Sequence, residues 1–265
     1  MSEPDEMGLT AEAAEGYERY FVPAIFSQWP PVMLAASELK AGDDFLDVGC
    51  GTGVLTREAA GVVGANGRAV GLDLSESMLG VARKQAPTAR FQQGNATALP
   101  FEDASFDVVC GAFMLMFVPE PAAAVKEMWR VLRPGGRLVL SVWQALSDNP
   151  VYSRLVDIAS RRIDRRAGEA LSWPYQLGAD GVLAKILEQG GARSATIELR
   201  QGRARFPSLE GLVTTEIKAW VIAESVDESA INAVIADAKI ELADYCAADG
   251  SIDFPFNALV ARAQN

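Results

Sequence analysis

Between about residues 44 and 143, short apolar segments alternate with segments of helical pattern, and this alternation constrains the fold more than any other feature of the sequence. Phe45-Leu46-Asp47-Val48 predicts a buried strand that ends in a glycine-rich turn, and 54–63 continues as a helix. A second strand is predicted over 69–73, followed by a helix over 77–85 with Ser75 as its N-cap. Residues 90–93 and 106–111 predict the third and fourth strands and 121–132 a helix. A fifth strand over 137–143 is entered through the turn Pro134-Gly135-Gly136. Strands that alternate with helices pack as a mostly parallel sheet covered on both faces, which makes the fold class α/β and doubly wound.

Outside this run the pattern changes. Residues 9–40 read as amphipathic helix, with Tyr17, Tyr20 and Phe21 ahead of Pro23. After Trp143 the sequence predicts a helix over 150–166, an aromatic loop over 171–177 and a helix over 181–189. An exposed edge strand over 195–206, a largely helical acidic stretch over 208–248 and a last strand over 254–261 complete the chain. From 206 to 265 three basic residues stand against ten acids, which reads as a solvated helix face rather than a cation site. No repeat and no Pro- or Ser-rich linker separates two independent domains.

Composition then removes function classes. The chain contains no histidine, so Ser-His-Asp chemistry, imidazole metal ligation and a histidine proton shuttle are all excluded, and acid–base work falls to Asp, Glu, Tyr or Lys. The acids show no ligand spacing, so no metal site is expected. A formal charge of −11 opposes binding to a nucleic-acid backbone or an anionic membrane surface. The longest strongly apolar uncharged stretch, Val108 to Pro119, is too short to span a bilayer, and the acidic first 30 residues carry no signal-peptide pattern. Cys50, Cys110 and Cys246 are few and widely spaced, which suggests neither a disulfide framework nor a thiolate zinc site and points to the cytoplasm.

The chemistry concentrates at Asp47-Val48-Gly49-Cys50-Gly51-Thr52-Gly53, between a predicted strand and a predicted helix. Glycines there let the backbone turn tightly and approach a ligand. Asp73 ends the next strand, and in a doubly wound sheet it lies beside that loop, where it can accept hydrogen bonds from ribose hydroxyls. Dinucleotide sites use G-x-G-x-x-G, whereas here Val54 follows a G-x-G-x-G run. Cys50 reads as a small buried loop residue, not a nucleophile.

Four further segments follow in order: Gly94-Asn95-Ala96, Leu99-Pro100-Phe101, Ser105-Phe106-Asp107-Val108-Val109 and the stretch from Val131 through Arg133-Pro134-Gly135-Gly136 to Leu138. With them the sequence resembles the class I S-adenosylmethionine (SAM)-dependent methyltransferases, in the small-molecule branch that includes ubiquinone and menaquinone biosynthesis enzymes. The resemblance covers about residues 44–143. It implies a seven-stranded, mostly parallel, Rossmann-like methyltransferase fold with N-terminal helices and a helical insertion near the C-terminus. Within one domain over 1–265 it implies a helical lid over 1–40, a SAM-binding core over 41–145, a substrate-side helical cover with late strands over 146–250 and a final strand over 251–265.

The same resemblance implies roles. Asp47, Gly49, Cys50, Gly51 and Gly53 would face the methionine part of SAM, and Asp73 would take the ribose hydroxyls. Leu74 and Met78 would flank the adenine, Asn95 and Ala96 would meet its edge, and Gly111 with Phe113 would line the methionine end. Position 95 departs from the Gly-Asp-Ala common in such families, since Asn keeps a carbonyl acceptor but loses the charge. The acceptor pocket is expected from Tyr17, Tyr20, Phe21, Trp143, Tyr152, Trp173 and Tyr175, an aromatic set suited to a planar small molecule or a cationic amine. The product cofactor would be S-adenosylhomocysteine. Two other readings stay open: a non-catalytic SAM-binding sensor or partner subunit, and a nicotinamide-dependent dehydrogenase. The acceptor atom, a catalytic base and the choice between monomer and homodimer are left open by the sequence.

Overall fold

A computed structural model describes residue 5, residues 8–220 and residues 226–265. The part of the acidic helical stretch at 221–225 lies outside the described residues, as do Glu3 and Glu6 of the acidic N-terminus. The chain forms two compact units, one of residues 1–142, 180–200 and 259–265 and a second of residues 143–179 and 201–258.

The first unit is built on a seven-stranded sheet. Its strands are β1 (Asp44–Val48), β2 (Arg68–Asp73), β3 (Arg90–Gln93), β4 (Phe106–Ala112), β5 (Leu132–Trp143), β6 (Thr196–Arg200) and β9 (Ala258–Gln264), in the order β3-β2-β1-β4-β5-β9-β6. The pairs β1/β2, β1/β4, β2/β3 and β4/β5 are all parallel. Helices α1 (Ala11–Gly16), α2 (Trp29–Ser37), α3 (Val54–Val63), α4 (Glu76–Gln85), α5 (Pro121–Val131) and α8 (Val182–Gln189) accompany it. One core cluster joins Met33 of α2 and Leu55, Ala59 and Val63 of α3 to Phe45, Ala69, Val108 and Val139 of the sheet. α4 starts where the sequence predicts, since Ser75 accepts from the Met78 N–H and the helix carries Glu76 in its first turn and Arg83 and Lys84 in its last.

Between α1 and α2 the chain runs as a π-helix, Tyr17–Phe26, with Pro23 inside it. Pro23 has no N–H to give, and Ser27 closes the segment with an i→i+5 bond to the Val22 carbonyl at 2.8 Å.

The second unit holds α6 (Pro150–Arg162), α7 (Arg165–Ser172), a 3-10 segment Trp173–Gly178, α9 (Leu209–Trp220), α10 (Glu228–Glu241) and an antiparallel pair of β7 (Arg203–Phe206) with β8 (Ile252–Pro255). Arg161 and Arg162 of α6 pair with Asp237 and Glu241 of α10.

Several local expectations are corrected. Pro134-Gly135-Gly136 is no turn before β5 but runs inside it, with a register shift against β4 where Phe106 pairs Leu132 and Val108 pairs Arg137. Gly135 there has φ +81° and its N–H reaches the Asn265 carbonyl at 2.7 Å. The single strand expected over 195–206 is two strands in different sheets, split at Gln201-Gly202, where the Gly202 N–H takes the Asn257 side-chain oxygen. The last strand expected over 254–261 likewise divides into β8 and β9. The helix expected over 150–166 divides at Asp164, which caps α7 through the Ala167 N–H at 2.8 Å, and the expected aromatic loop is the end of α7 followed by a 3-10 turn.

Candidate functional site

The register of β1 on β2 sets Asp47 opposite Gly71 and Val48 opposite Leu72. The glycine loop therefore leaves β1 across the end of β2, where the N–H groups of Gly49 and Cys50 both donate to the Leu72 carbonyl, at 2.7 and 3.0 Å. Asp73 closes this corner. One of its oxygens accepts the Gly51 N–H at 2.7 Å and the other the Ser75 N–H at 2.9 Å. Gly49, Gly51 and Gly53 all have positive φ. At Gly49 a Cβ would lie 2.4 Å from Cβ of Met114, so this position needs both the conformation and the absence of a side chain.

Asp47 is fully buried, and its Oδ2 accepts the Thr56 hydroxyl at 2.7 Å. Its Oδ1 has no hydrogen-bond partner, and the buried hydroxyl of Thr52, five residues on in the glycine loop, has none either. Buried polar groups are nearly always satisfied, so two orphans within a strand–loop corner mark a place where a ligand supplies the missing partners. Burial pushes the Asp47 carboxyl up to about 7, with the Asp73 charge adding to it and the Thr56 bond opposing it. Burial also raises Asp73, against the hydrogen bonds from Ser75 and Gly51. The Cys50 thiol is pushed up by burial and by both aspartates, as an inert loop residue should be.

The pH consequence has a definite sign. An unfolded Asp titrates near 4, so the folded protein retains a proton that the unfolded chain releases. Stability is full below about pH 4 and falls as pH rises through about 7, by on the order of a few kcal/mol. Thermal melts at pH 5 and pH 8 should show this decline in the ligand-free protein and a flattened response in Asp47→Asn. Equal slopes in the two proteins would remove Asp47 as the titrating group.

All the residues assigned to the cofactor belong to or follow the four neighbouring strands β1 to β4. Leu74 and Met78 are half-buried at the start of α4. Asn95 and Ala96 follow β3, and the Asn95 side-chain oxygen already accepts from the N–H and hydroxyl of Thr97, at 2.9 and 2.8 Å. The amide NH2 is thus the group that Asn95 can offer a ligand. Gly111 lies within β4, where a Cβ would meet Leu140 at 2.8 Å, so its smallness serves packing against β5. Phe113, after β4, holds φ +55°, an uncommon conformation for a bulky residue, with its N–H on the Ser141 carbonyl and hydroxyl.

Of the aromatics expected to meet the acceptor, Tyr17 reaches this corner. Its ring stacks on Phe26 at 5.2 Å, Phe26 meets Phe113 edge-on at 5.7 Å, and Trp29 meets Phe113 at 5.3 Å. Burial, then the charges of Asp73 and Glu18, keep the Tyr17 phenol protonated. Phe21 is buried beside Tyr17, whereas Tyr20 points outward at 54% exposure. Sequence reasoning missed Phe26 and Trp29. Tyr17 and Phe26, nine residues apart, are separated by roughly two turns of an i→i+5 helix but two and a half of an α-helix, so an α-helical period puts them on opposite faces.

The N-terminal segment is tied to the same corner. Asp5 accepts from the Ser75 hydroxyl at 2.5 Å and the Ser77 N–H at 3.2 Å, and the Ser77 hydroxyl donates to the Leu9 carbonyl at 3.0 Å. Glu15 pairs with Lys84 and Glu18 with Arg57.

The remaining aromatics form a cluster inside the second unit. Trp143 stacks on Phe256 at 4.1 Å, and Tyr152 lies 4.8 Å from Phe256 and 5.4 Å from Tyr175. The Tyr152 hydroxyl donates to Glu216 Oε1 at 2.6 Å. Trp173 is 54% exposed. Glu216, Phe254 and Phe256 are additions that the sequence reading did not make.

A parallel sheet with a glycine loop after its central strand and an acid at the end of the next is the arrangement of the Rossmann-like methyltransferase fold. Residues 46–140 match the family described as methyltransferase domain. The chain is 41% identical over 138 residues to the ubiquinone/menaquinone biosynthesis C-methyltransferase of Hahella chejuensis, a match over 50% of this chain and 55% of that one. The chain spans about half the length of this curated relative. Among solved structures it resembles the phosphoethanolamine N-methyltransferase 2 of Haemonchus contortus in complex with phosphomonomethylethanolamine and S-adenosylhomocysteine. That similarity has a TM-score of 0.60 at 19% identity, over 97% of this chain and 57% of that one. The [4+2]-cyclase SpnF is also similar, with a TM-score of 0.54 at 17% identity over 90% of this chain and 81% of that one. Among the described residues no helix is long and apolar enough to cross a membrane.

Proposed function

We propose that this protein transfers the methyl group of SAM to a small-molecule acceptor. The orphaned, buried Oδ1 of Asp47 beside the glycine loop carries the reading. A carboxylate oxygen there suits the ammonium of an amino acid moiety, and the loop's positive-φ glycines leave its backbone open to close approach. Each carboxylate oxygen has more than one acceptor site, so Asp73 can hold its two loop N–H groups and still accept ribose hydroxyls. Leu74 and Met78 suit the flanks of the adenine, the Asn95 amide its edge, and Phe113 with Phe26 the methionine end.

Bound there, SAM supplies a methyl group on a sulfonium, an electrophile that is already activated. The protein's share is alignment and exclusion of water. The N-terminal segment, tied down by Asp5, Leu9, Glu15 and Glu18, serves as a cover over the ribose corner, and Tyr17 adds a neutral phenol to its inner side. Removing residues 1–22 would also strip the buried Ala14, Phe21 and Val22, so the sharper test removes residues 1–9. That truncation should weaken S-adenosylhomocysteine binding by roughly tenfold, the worth of one or two hydrogen bonds, with little change in melting temperature. Unchanged affinity would end the cover idea.

The primary experiment is calorimetric titration with S-adenosylhomocysteine, with NADH as control, followed by an acceptor screen read out as S-adenosylhomocysteine formation from SAM. Saturable binding of S-adenosylhomocysteine alone and turnover on at least one acceptor is the expected result. NADH binding instead would restore a dehydrogenase, against which the G-x-G-x-G register and the family match both speak. Because a [4+2]-cyclase shares the fold, a SAM-binding protein that does not transfer methyl groups is the second reading. It predicts cofactor binding without turnover across the screen.

A further inference from the structure

Asp47 and Asp73 share the corner where the glycine loop leaves the sheet, and neither pairs with a Lys or Arg among the described residues. Asp47 is 1% exposed, Thr56 alone donates to it, and its Oδ1 is left over. The groups around it add no positive charge. Asp73 stands at the end of β2, Cys50 in the loop and Cys110 opposite Asp47 on β4, and each of the three becomes negative when it loses its proton. On the Asp73 side of the corner come Tyr17 and Glu18 of the N-terminal segment. The arginines of the surrounding elements are held elsewhere, Arg57 of α3 by Glu18, Arg83 of α4 by Glu76 and Arg137 of β5 by Asp43 and the Glu38 carbonyl. A buried carboxylate with one hydrogen-bonding neighbour and no cation is more stable as the neutral acid, and burial with the Asp73 charge pushes this one up to about 7. Asp73 has an N–H donor on each oxygen, so of the two it is Asp47 that keeps the proton.

We infer that the cofactor's ammonium replaces a proton on Asp47, so that loading this corner releases one proton to solvent and acidification expels the cofactor. The inference rests on the methyltransferase reading, which sets the amino acid part of SAM against the Asp47 Oδ1. The neutral acid spends one oxygen on its own proton and offers no charge to an ammonium. On binding, the O–H bond of Asp47 breaks, its proton passes to buffer, and an N–H of the ammonium donates to the carboxylate in its place. The ammonium keeps all its protons, and the net charge of the corner stays what it was. Open space over Gly51, where an added Cβ would meet nothing within 4 Å, gives the ligand its approach to the loop. Because the free protein holds a proton that the loaded protein does not, affinity climbs about tenfold per pH unit below the titration and levels off above it.

The test is calorimetric titration with S-adenosylhomocysteine at pH 6 and pH 8, each in two buffers of different ionisation enthalpy, which reads the protons released per ligand bound. The control ligand is 5′-methylthioadenosine, the same nucleoside without the amino acid part. The wild type should release about 0.9 of a proton at pH 6 and about 0.1 at pH 8, and should bind S-adenosylhomocysteine roughly tenfold more weakly at pH 6. The control ligand should release none and bind equally at both. Asp47→Asn should abolish the release and level the affinity between the two pH values. Binding of S-adenosylhomocysteine without proton release at pH 6, equal release by the control ligand, or release that persists in a folded Asp47→Asn protein would each overturn the coupling. If Asp47→Asn does not fold, Thr56→Val takes its place: it removes the hydroxyl bond that favours the ionised form and should raise the pH at which release is half complete, and an unmoved midpoint counts against the proposal. No S-adenosylhomocysteine binding at either pH would overturn the methyltransferase reading itself, whereas binding without proton release leaves that reading standing and fails the coupling alone.

Discussion

Asp73→Ala should lose S-adenosylhomocysteine affinity by roughly a hundredfold. The carboxylate acts twice, as the acceptor proposed for the ribose and as the clamp that holds the Gly51 and Ser75 N–H groups at 2.7 and 2.9 Å. Hydrogen bonds to an ionised group are worth ~1.5–3 kcal/mol each, and 1.4 kcal/mol is tenfold in binding. Losing the ligand contact and the loop's fixed shape together gives the hundredfold figure. Asp73→Asn keeps one acceptor oxygen and should fall between the two. Calorimetry on the three proteins decides it, and an alanine variant that binds within twofold of wild type would remove Asp73 from the site.

A single methyl group at Gly49 should do more damage. The backbone there sits at φ +67°, and the added Cβ would lie 2.4 Å from Met114 Cβ. An L-residue in the left-handed region costs ~1–2 kcal/mol and overpacking a further ~1–3 kcal/mol. Gly49→Ala should therefore lower stability by about 2–5 kcal/mol, which for a chain of this length is a melting temperature roughly 5–15 °C lower. Binding of S-adenosylhomocysteine should fall below detection, because the loop can relieve the clash only by leaving the Leu72 carbonyl. A melt and a titration matching wild type would show that the loop tolerates a side chain there. Gly51→Ala is the informative contrast: its Cβ meets nothing within 4 Å, so it carries the conformational cost without the collision.

The geometry of the corner between the glycine loop and Asp73 was legible in the sequence because what it needs is local. A short strand, three glycines and an acid at the end of the next strand are each set by neighbours a few residues away. Glu216 was not legible for the opposite reason. It lies in a strongly acidic stretch where Glu210 pairs with Lys239 and Asp237 with Arg162, as a solvated face would. Only the fold brings it to Tyr152, 64 positions earlier. Phe26 and Trp29 escaped because a π-helical segment shifts the face that an α-helical period predicts. The Pro134-Gly135-Gly136 tripeptide has the composition of a turn, yet it lies inside β5 as a bulge against β4, where Gly135 and Gly136 exchange backbone bonds with Asn265 at the far end of the sequence.

The chain crosses between its two units four times, at 142/143, 179/180, 200/201 and 258/259. The aromatic cluster draws Trp143, Tyr152 and Tyr175 from one of the second unit's stretches and Glu216, Phe254 and Phe256 from the other. Recombination between homologous genes therefore has to exchange both stretches at once. A chimera that swaps 143–179 alone inherits half a cluster from each parent, and a laboratory shuffle that is to keep this packing intact should place its crossovers in matched pairs.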